Sequence, residues 1–130
     1  MYYQDMKTIK VYIPIRLQSA ANLREHWHKK ATRNTTQEWA VIEHLKGIEL
    51  PSYLPCKITL TRVAPRALDY DNLCYAFKHI LDRLGMLIKP GTRKGRADAD
   101  PNIQVDYKQK KGDKNEYAII IEIAQCYCRL

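Results

Sequence analysis

Two aspartates flank one tyrosine in "DYDNLCYAFKHILD", residues 69–82, and the run continues as a regular apolar repeat. In extended chain, residues two apart point to the same side. The Cα atoms of Asp69 and Asp71 are then roughly 6.6 Å apart, at ~3.3 Å per residue. Two carboxylates at that spacing can converge on one hard cation. Mg2+ suits such a pair because it keeps several waters and takes one or two carboxylates together with phosphate oxygens. A second acidic group, Asp98 and Asp100 in "GRADADPNIQV", comes directly before a strand-like segment. If that strand enters the sheet beside the helix start, Asp69, Asp71 and Asp100 build a metal cage.

The same residues also fit plainer roles. Asp69 or Asp71 can cap a helix, and Asp98 and Asp100 can form a turn ahead of Pro101. On a helix with Asp71 at 0°, Lys78 falls at about −20° and Asp82 at about +20°, on one polar stripe. Lys78 and Asp82 are also an ordinary i, i+4 pair, and Asp82 is expected to pair with Lys78 rather than bind metal. Asn72 either orients a carboxylate or begins the helix.

The charge balance bears on these alternatives. Lys and Arg total 22 against 14 acids, a net charge of +8. A basic chain of this size suits nucleic acid, since neutralising phosphates releases counterions. The cations cluster: Arg24, Lys29, Lys30 and Arg33; then Lys89, Arg93, Lys94 and Arg96; then Lys108, Lys110, Lys111 and Lys114. A basic surface would recruit a phosphodiester backbone, and metal-holding acids would act on it. The bland counterpart is a solvated, merely basic surface.

The elements that must position these residues follow from periodicity. Residues 6–15 alternate and are β-branched, predicting strand one. Residues 25–46 predict a helix whose apolar arc holds Trp27, Ala31, Ile42 and Leu45, with Lys29 and Arg33 facing away and Gly47 as the stop. Trp39 sits at the edge of this arc, and both tryptophans are expected in the core rather than as stacking platforms. "CKITLTRV", residues 56–63, predicts strand two, with Ile58 and Leu60 on one face. Leu73, Ala76, Phe77, Ile80, Leu81 and Leu84 predict a helix over 70–85, closed by Gly85. "KPGTRKGR" reads as a long basic loop. "NIQVDYKQ" predicts strand three, with Ile103, Val105 and Tyr107 on one face. "EYAIIIEIA" predicts strand four, forming a hairpin with strand three. The order β-α-β-α-β-β gives an α/β (α+β) fold over residues 1–130: one two-layer domain with a mixed sheet of about four strands covered by two helices.

Cys56, Cys74, Cys126 and Cys128 show no C-x2-C spacing and are expected to be free thiols. No apolar run approaches ~18 residues, so no transmembrane helix is expected. The N-terminus lacks a signal-peptide pattern, which predicts a cytoplasmic protein. His26 and His28, at i, i+2, point to different sides of a helix and are not joint ligands. His44 and His79 are assigned no role.

"DYDNLCYAFKHILD" followed by "DADPNIQVDYKQKK", with "NLREHWHKKATR" near the N-terminus, resembles the RusA family of Holliday-junction resolvases, many of them from phages and prophages. The resemblance spans roughly residues 9–123. It implies a Mg2+-dependent homodimeric endodeoxyribonuclease, with Mn2+ as a substitute ion, that nicks four-way DNA junctions in recombination and repair. By motif, Asp69, Asp71 and Asp100 would be the catalytic, metal-binding acids and Lys78 the catalytic lysine, with Asn72 supporting a carboxylate. Arg24, Lys29, Lys30, Arg33, Lys89, Arg93, Lys94 and Arg96 would bind the junction arms. If the chain is phage-encoded, its compartment is the host cell interior. Two departures stand out. One form of the pattern puts the lysine four residues after the second Asp, where this chain has Tyr75; another form, "DNLxxAFK", puts it at Lys78. "KPGTRKGR" is an insertion where relatives are often short. Two other readings stand beside this one: a DNA-binding module without catalysis, and a nuclease acting on flaps or other branched DNA.

Overall fold

A computed structural model of the chain describes residues 8–18, 27–48, 50, 55–88 and 101–125. The elements are β1 (Thr8–Ile13), α1 (Trp27–Leu45), β2 (Cys56–Ala64), α2 (Tyr70–Ile88), β3 (Ile103–Lys111) and β4 (Ala118–Gln125). The order is the expected β-α-β-α-β-β. The four strands form one mixed sheet, ordered β1-β4-β2-β3. β1 and β2 both run antiparallel to β4, while β2 and β3 are parallel, joined through α2.

Alternation sorts the strand residues onto two faces. Ile9, Val11 and Ile13 of β1, Ile58 and Leu60 of β2, and Ile119, Ile121 and Ile123 of β4 form one buried row set. They share a core with Val41 and Leu45 of α1 and with Leu73, Phe77, Ile80, Leu81 and Leu84 of α2. Val105 and Tyr107 of β3 pack against its margin. The helices thus cover one face of the sheet. On the other, Tyr12 is 53% exposed, and Lys57 pairs with Asp106 at 3.0 Å.

The expected β3–β4 hairpin does not form. β4 lies between β1 and β2, and β3 pairs with β2 instead. The compositions account for this. "AIIIEIAQ" needs neighbours on both edges to bury its isoleucines. "IQVDYKQKK" is exposed from Lys108 onward and suits an edge, where lysines discourage further strand pairing. Gly112 prolongs the β2–β3 alignment by donating its N–H to Ala64 O at 2.9 Å.

Both helices depart from expectation in detail. α2 runs past Gly85 to Ile88, because Leu84, Gly85 and Ile88 are all buried and their packing outweighs the ~1 kcal/mol a helical glycine costs. On α1 the buried residues are Gln37, Glu38, Val41 and Leu45; Ala31 is exposed and Ile42 only half-buried. No residue from Lys29 to Thr36 is buried, so the periodic arc has no core beneath its first turns. Trp39 is 63% exposed rather than in the core. It lies two positions from Val41, about 200° round the helix. The side chains of Trp27 and His28 lie outside the described residues, as does all of His26.

Gly47 ends α1 as expected, with φ at 81° and the Ile48 N–H donating to Leu45 O at 3.0 Å. A Cβ there meets nothing within 4 Å, so only the backbone conformation resists substitution. Gly47→Ala is expected to destabilise the fold by about 1 kcal/mol, read as a lower urea midpoint at unchanged slope. Cys56 is buried and Cys74 half-buried, both as free thiols; Cys126 and Cys128 lie outside the described residues. Among the described residues, no helix is long and apolar enough to cross a membrane.

Candidate nucleic-acid and metal site

Asp69 and Asp71 stand at the entrance to α2, and both are exposed. Asp69 is the N-cap. Its Oδ1 accepts the Asn72 N–H at 3.0 Å, and its carbonyl accepts the Leu73 N–H at 2.9 Å. Asp71 lies in the first turn, where the helix dipole favours a negative charge. The capping role foreseen for this pair is therefore present. Capping engages one oxygen of Asp69 and no oxygen of Asp71 through these bonds, so the pair keeps donors of the hard kind Mg2+ prefers. Asp69→Ala is expected to cost about 1 kcal/mol through the lost cap, whereas Asp69→Asn, an equally good cap, should leave the melting temperature nearly unchanged.

The segment before the helix is pinned to β3. Gln109 Oε1 accepts the Leu68 N–H at 2.8 Å, and Gln109 Nε2 donates to Leu68 O at 2.7 Å. At the first residue of α2, the Tyr70 ring meets Tyr107 edge-on with centroids 6.2 Å apart. The hydrogen bond with the Cys74 thiol is the main cause holding the Tyr70 phenol above its ordinary pKa. Charge on Cys74, desolvation and Asp106 act in the same direction.

Lys78 pairs with Asp82 one turn further along α2. Its Nζ lies 3.2 Å from Asp82 Oδ1, and Asp82 is only 7% exposed. Seven residues of helix separate Lys78 from Asp71, about 10 Å along the axis. The foreseen i, i+4 pair is thus formed. A second cation, from α1, meets α2 at Tyr75. Lys30 of α1 donates to the Tyr75 hydroxyl at 2.9 Å, with its Nζ 5.3 Å from the ring centre. Tyr75 is four residues after Asp71 and therefore on the same helix face. Lys30, Asn34, Tyr75, Lys78 and Asp82 line a cleft of about 130 Å³ between the two helices. His79 helps hold that cleft's shape: its Nε2 is 2.7 Å from Gln37 Oε1, and Gln37 Nε2 donates to Arg16 O at 3.0 Å. Arg83 and Glu38 add a third α1–α2 tie at 3.0 Å.

Asp98 and Asp100 lie outside the described residues, as do Arg24, Lys89, Arg93, Lys94 and Arg96. Of the expected arm-binding residues, Lys29 is exposed and Lys30 and Arg33 half-buried, all on α1. Asn102, two residues after Asp100, is placed: its carbonyl accepts the Cys56 N–H at 2.9 Å, at the start of β2. Leu68 meets β3 at Gln109, toward the other end. The six-residue step from Ile103 to Gln109 spans roughly 20 Å of strand. Within one chain Asp100 does not cover that gap, since two residues from Asn102 it reaches at most about 7 Å. A second copy of the chain supplying Asp100 is the remaining route. Among the described residues, no three of His, Cys, Asp or Glu lie together as a metal-ligand group.

Sequence reasoning passed over three residues that the fold brings together: Arg62, Arg66 and Gln109. Arg62 falls in the same row as Ile58 and Leu60, and a charge in a core row was the one available signal. It is 8% exposed, donating from Nε to Leu17 O at 3.0 Å and from Nη1 to Arg66 O at 2.8 Å. Burial lowers its pKa from the ordinary value; Tyr117 opposes this and Arg16 adds to it. Arginine keeps its charge through such shifts. No protein-family model matches this chain, and no curated protein matches it significantly.

Proposed function

We propose that the protein is a Mg2+-dependent endodeoxyribonuclease that nicks branched DNA, four-way junctions foremost, and works as a homodimer inside the cell. The observation that carries this reading is the exposed Asp69–Asp71 pair at the start of α2, set in a protein of net charge +8 with lysines on the adjoining helix faces. Asp69 and Asp71 would hold the ion, and Asp100 of a second copy of the chain is the proposed third ligand. A bound Mg2+ would neutralise charge on the scissile phosphate and lower the pKa of a water.

The chain's own groups do the rest. Lys30, held on the Tyr75 ring, offers a positive charge on the Asp71 side of α2. Lys78, oriented by Asp82 and half-exposed, carries N–H donors that could meet a phosphate. Asn72 continues the helix that fixes both acids. Lys29, Lys30 and Arg33 on α1, with Arg24, Lys89, Arg93, Lys94 and Arg96, are the proposed contacts to the junction arms. Paired symmetric nicks require two sites related by a two-fold axis, hence the dimer.

A second reading is favoured by the same geometry: Asp69 as a cap and Lys78–Asp82 as an ion pair are what a DNA-binding module without catalysis would show. Cleavage of a synthetic four-way junction, with and without Mg2+, separates the two. Paired nicks only with the ion support the nuclease; binding without any cutting supports the module. Equal cutting of flaps would widen the substrate to branched DNA in general.

A further inference from the structure

The crossover from β2 through α2 to β3 places the C-terminal ends of two parallel strands side by side. In open α/β sheets ligands bind in the crevice outside the carboxyl ends of the strands, at a topological switch point; the single β2–α2–β3 unit lacks the switch point but has the carboxyl-end crevice. Here it is a pocket of about 270 Å³ lined by Arg62, Arg66, Gln109, Lys110 and Lys111, with the small residues Ala64, Pro65 and Ala67 between them. That leaves room for a phosphate group and several waters, at ≈ 30 Å³ per water.

Four cationic side chains line it, and no carboxylate does. Of the acids near it in sequence, Glu116 accepts the Asp113 N–H through Oε1 at 2.8 Å, and Asp69 caps α2. Arg62 gives the pocket a rigid floor. Its Nε and Nη1 are held by two backbone carbonyls, and among the described residues Nη2 has no such partner. A guanidinium fixed in this way loses little freedom when it binds an anion, and its fork matches phosphate oxygens. Arg66, Lys110 and Lys111 stand exposed around the rim.

We propose that this pocket is a phosphate-binding site, gripped by Arg62 from below and by Arg66, Lys110 and Lys111 from the rim. The nuclease reading is needed only to name the ligand, a backbone phosphate close to the one at Asp69 and Asp71. Proximity follows from the chain: Ala67 lines the pocket, and Asp69 comes two residues later, roughly 7 Å of extended chain at most. A strand seated in the pocket therefore passes the acid pair.

The test has two arms. The first titrates the wild-type protein with inorganic phosphate and follows backbone amide NMR shifts. The expected result is saturable shifts in residues 62–67 and 109–112. Shifts confined to α1, or none, would overturn the pocket. The second measures binding to a fluorescent four-way junction in EDTA across a salt series, for wild type, Arg66→Ala and the double variant Lys110→Ala/Lys111→Ala. All three changes are at exposed positions, which avoids unfolding the buried Arg62. Each variant is expected to bind about tenfold more weakly, with the salt slope reduced by about one per lost phosphate contact. If wild type binds steeply with salt and both variants match it within twofold, the pocket proposal fails and the DNA reading survives. If phosphate shifts the pocket amides but wild type ignores the junction, the pocket stands and the nuclease reading falls.

Discussion

Asp71→Asn is expected to lower Mg2+-dependent junction cleavage by at least about a hundredfold while leaving junction binding intact. Asn has nearly the shape of Asp but is a weaker ligand for a hard cation. Asp71 is exposed and is not the cap, so the folding cost should stay within the ~0.3–1 kcal/mol a first-turn charge contributes through the helix dipole. Binding should persist or tighten, since the change removes a negative charge from a surface meant to meet phosphates. Paired assays, gel-resolved nicking and fluorescence anisotropy on one protein preparation, read both quantities. Wild-type cutting by the variant would remove Asp71 from the mechanism; loss of binding together with cutting would mean that Asp71 serves the DNA contact or the fold.

The largest stability effect should come from Phe77→Ala. Phe77 is 0% exposed, packs 6.1 Å (ring centres) from Tyr107, and belongs to the core that joins α2 to the sheet. Truncating a buried phenylalanine costs about 3–5 kcal/mol through lost transfer energy and the cavity left behind. That is a large share of the ~5–15 kcal/mol typical of a domain. The urea midpoint should fall steeply, and at 37 °C the variant should be largely unfolded or aggregated. A loss under 1 kcal/mol would mean that α2 is not seated on the sheet as described. Because the start of α2 positions Asp69, its cap, and Asp71, in its first turn, the variant should lose metal-dependent cutting together with its fold.

Element order was legible in the sequence because strands and helices differ in apolar period: β1 alternates as T-I-K-V-Y-I, and α2 repeats at three and four. Strand pairing was not. Whether β4 joins β3 in a hairpin or inserts between β1 and β2 depends on which strand tolerates an exposed edge, a comparison between distant segments. Gly85 and Trp39 misled for related reasons. A helix stop read from one glycine ignores the burial of Ile88 beyond it, and an aromatic residue near an apolar arc does not reveal that the arc's true centre is Val41.

At the candidate site, local chemistry was legible and convergence was not. The Asp69 cap and the Lys78–Asp82 pair involve residues three or four apart, a separation at which helix geometry alone decides the outcome. The Lys30–Tyr75 contact joins residues 45 apart, and the Arg62 pocket draws on two separate segments. No spacing rule connects them; only the parallel β2–β3 pairing and the α1–α2 packing do.

Calorimetric titration of the protein with Mn2+ and Mg2+, in the absence of DNA, tests the acid pair most directly. Wild type should take up the ion at a specific, saturable site. Asp71→Asn should lose that heat, and Asp69→Asn should lose it too while its melting temperature holds, since Asn preserves the cap. Ion binding that is absent from wild type, or unchanged in both variants, would contradict the account and leave Asp69 and Asp71 as the helix-start residues of a cationic binding protein.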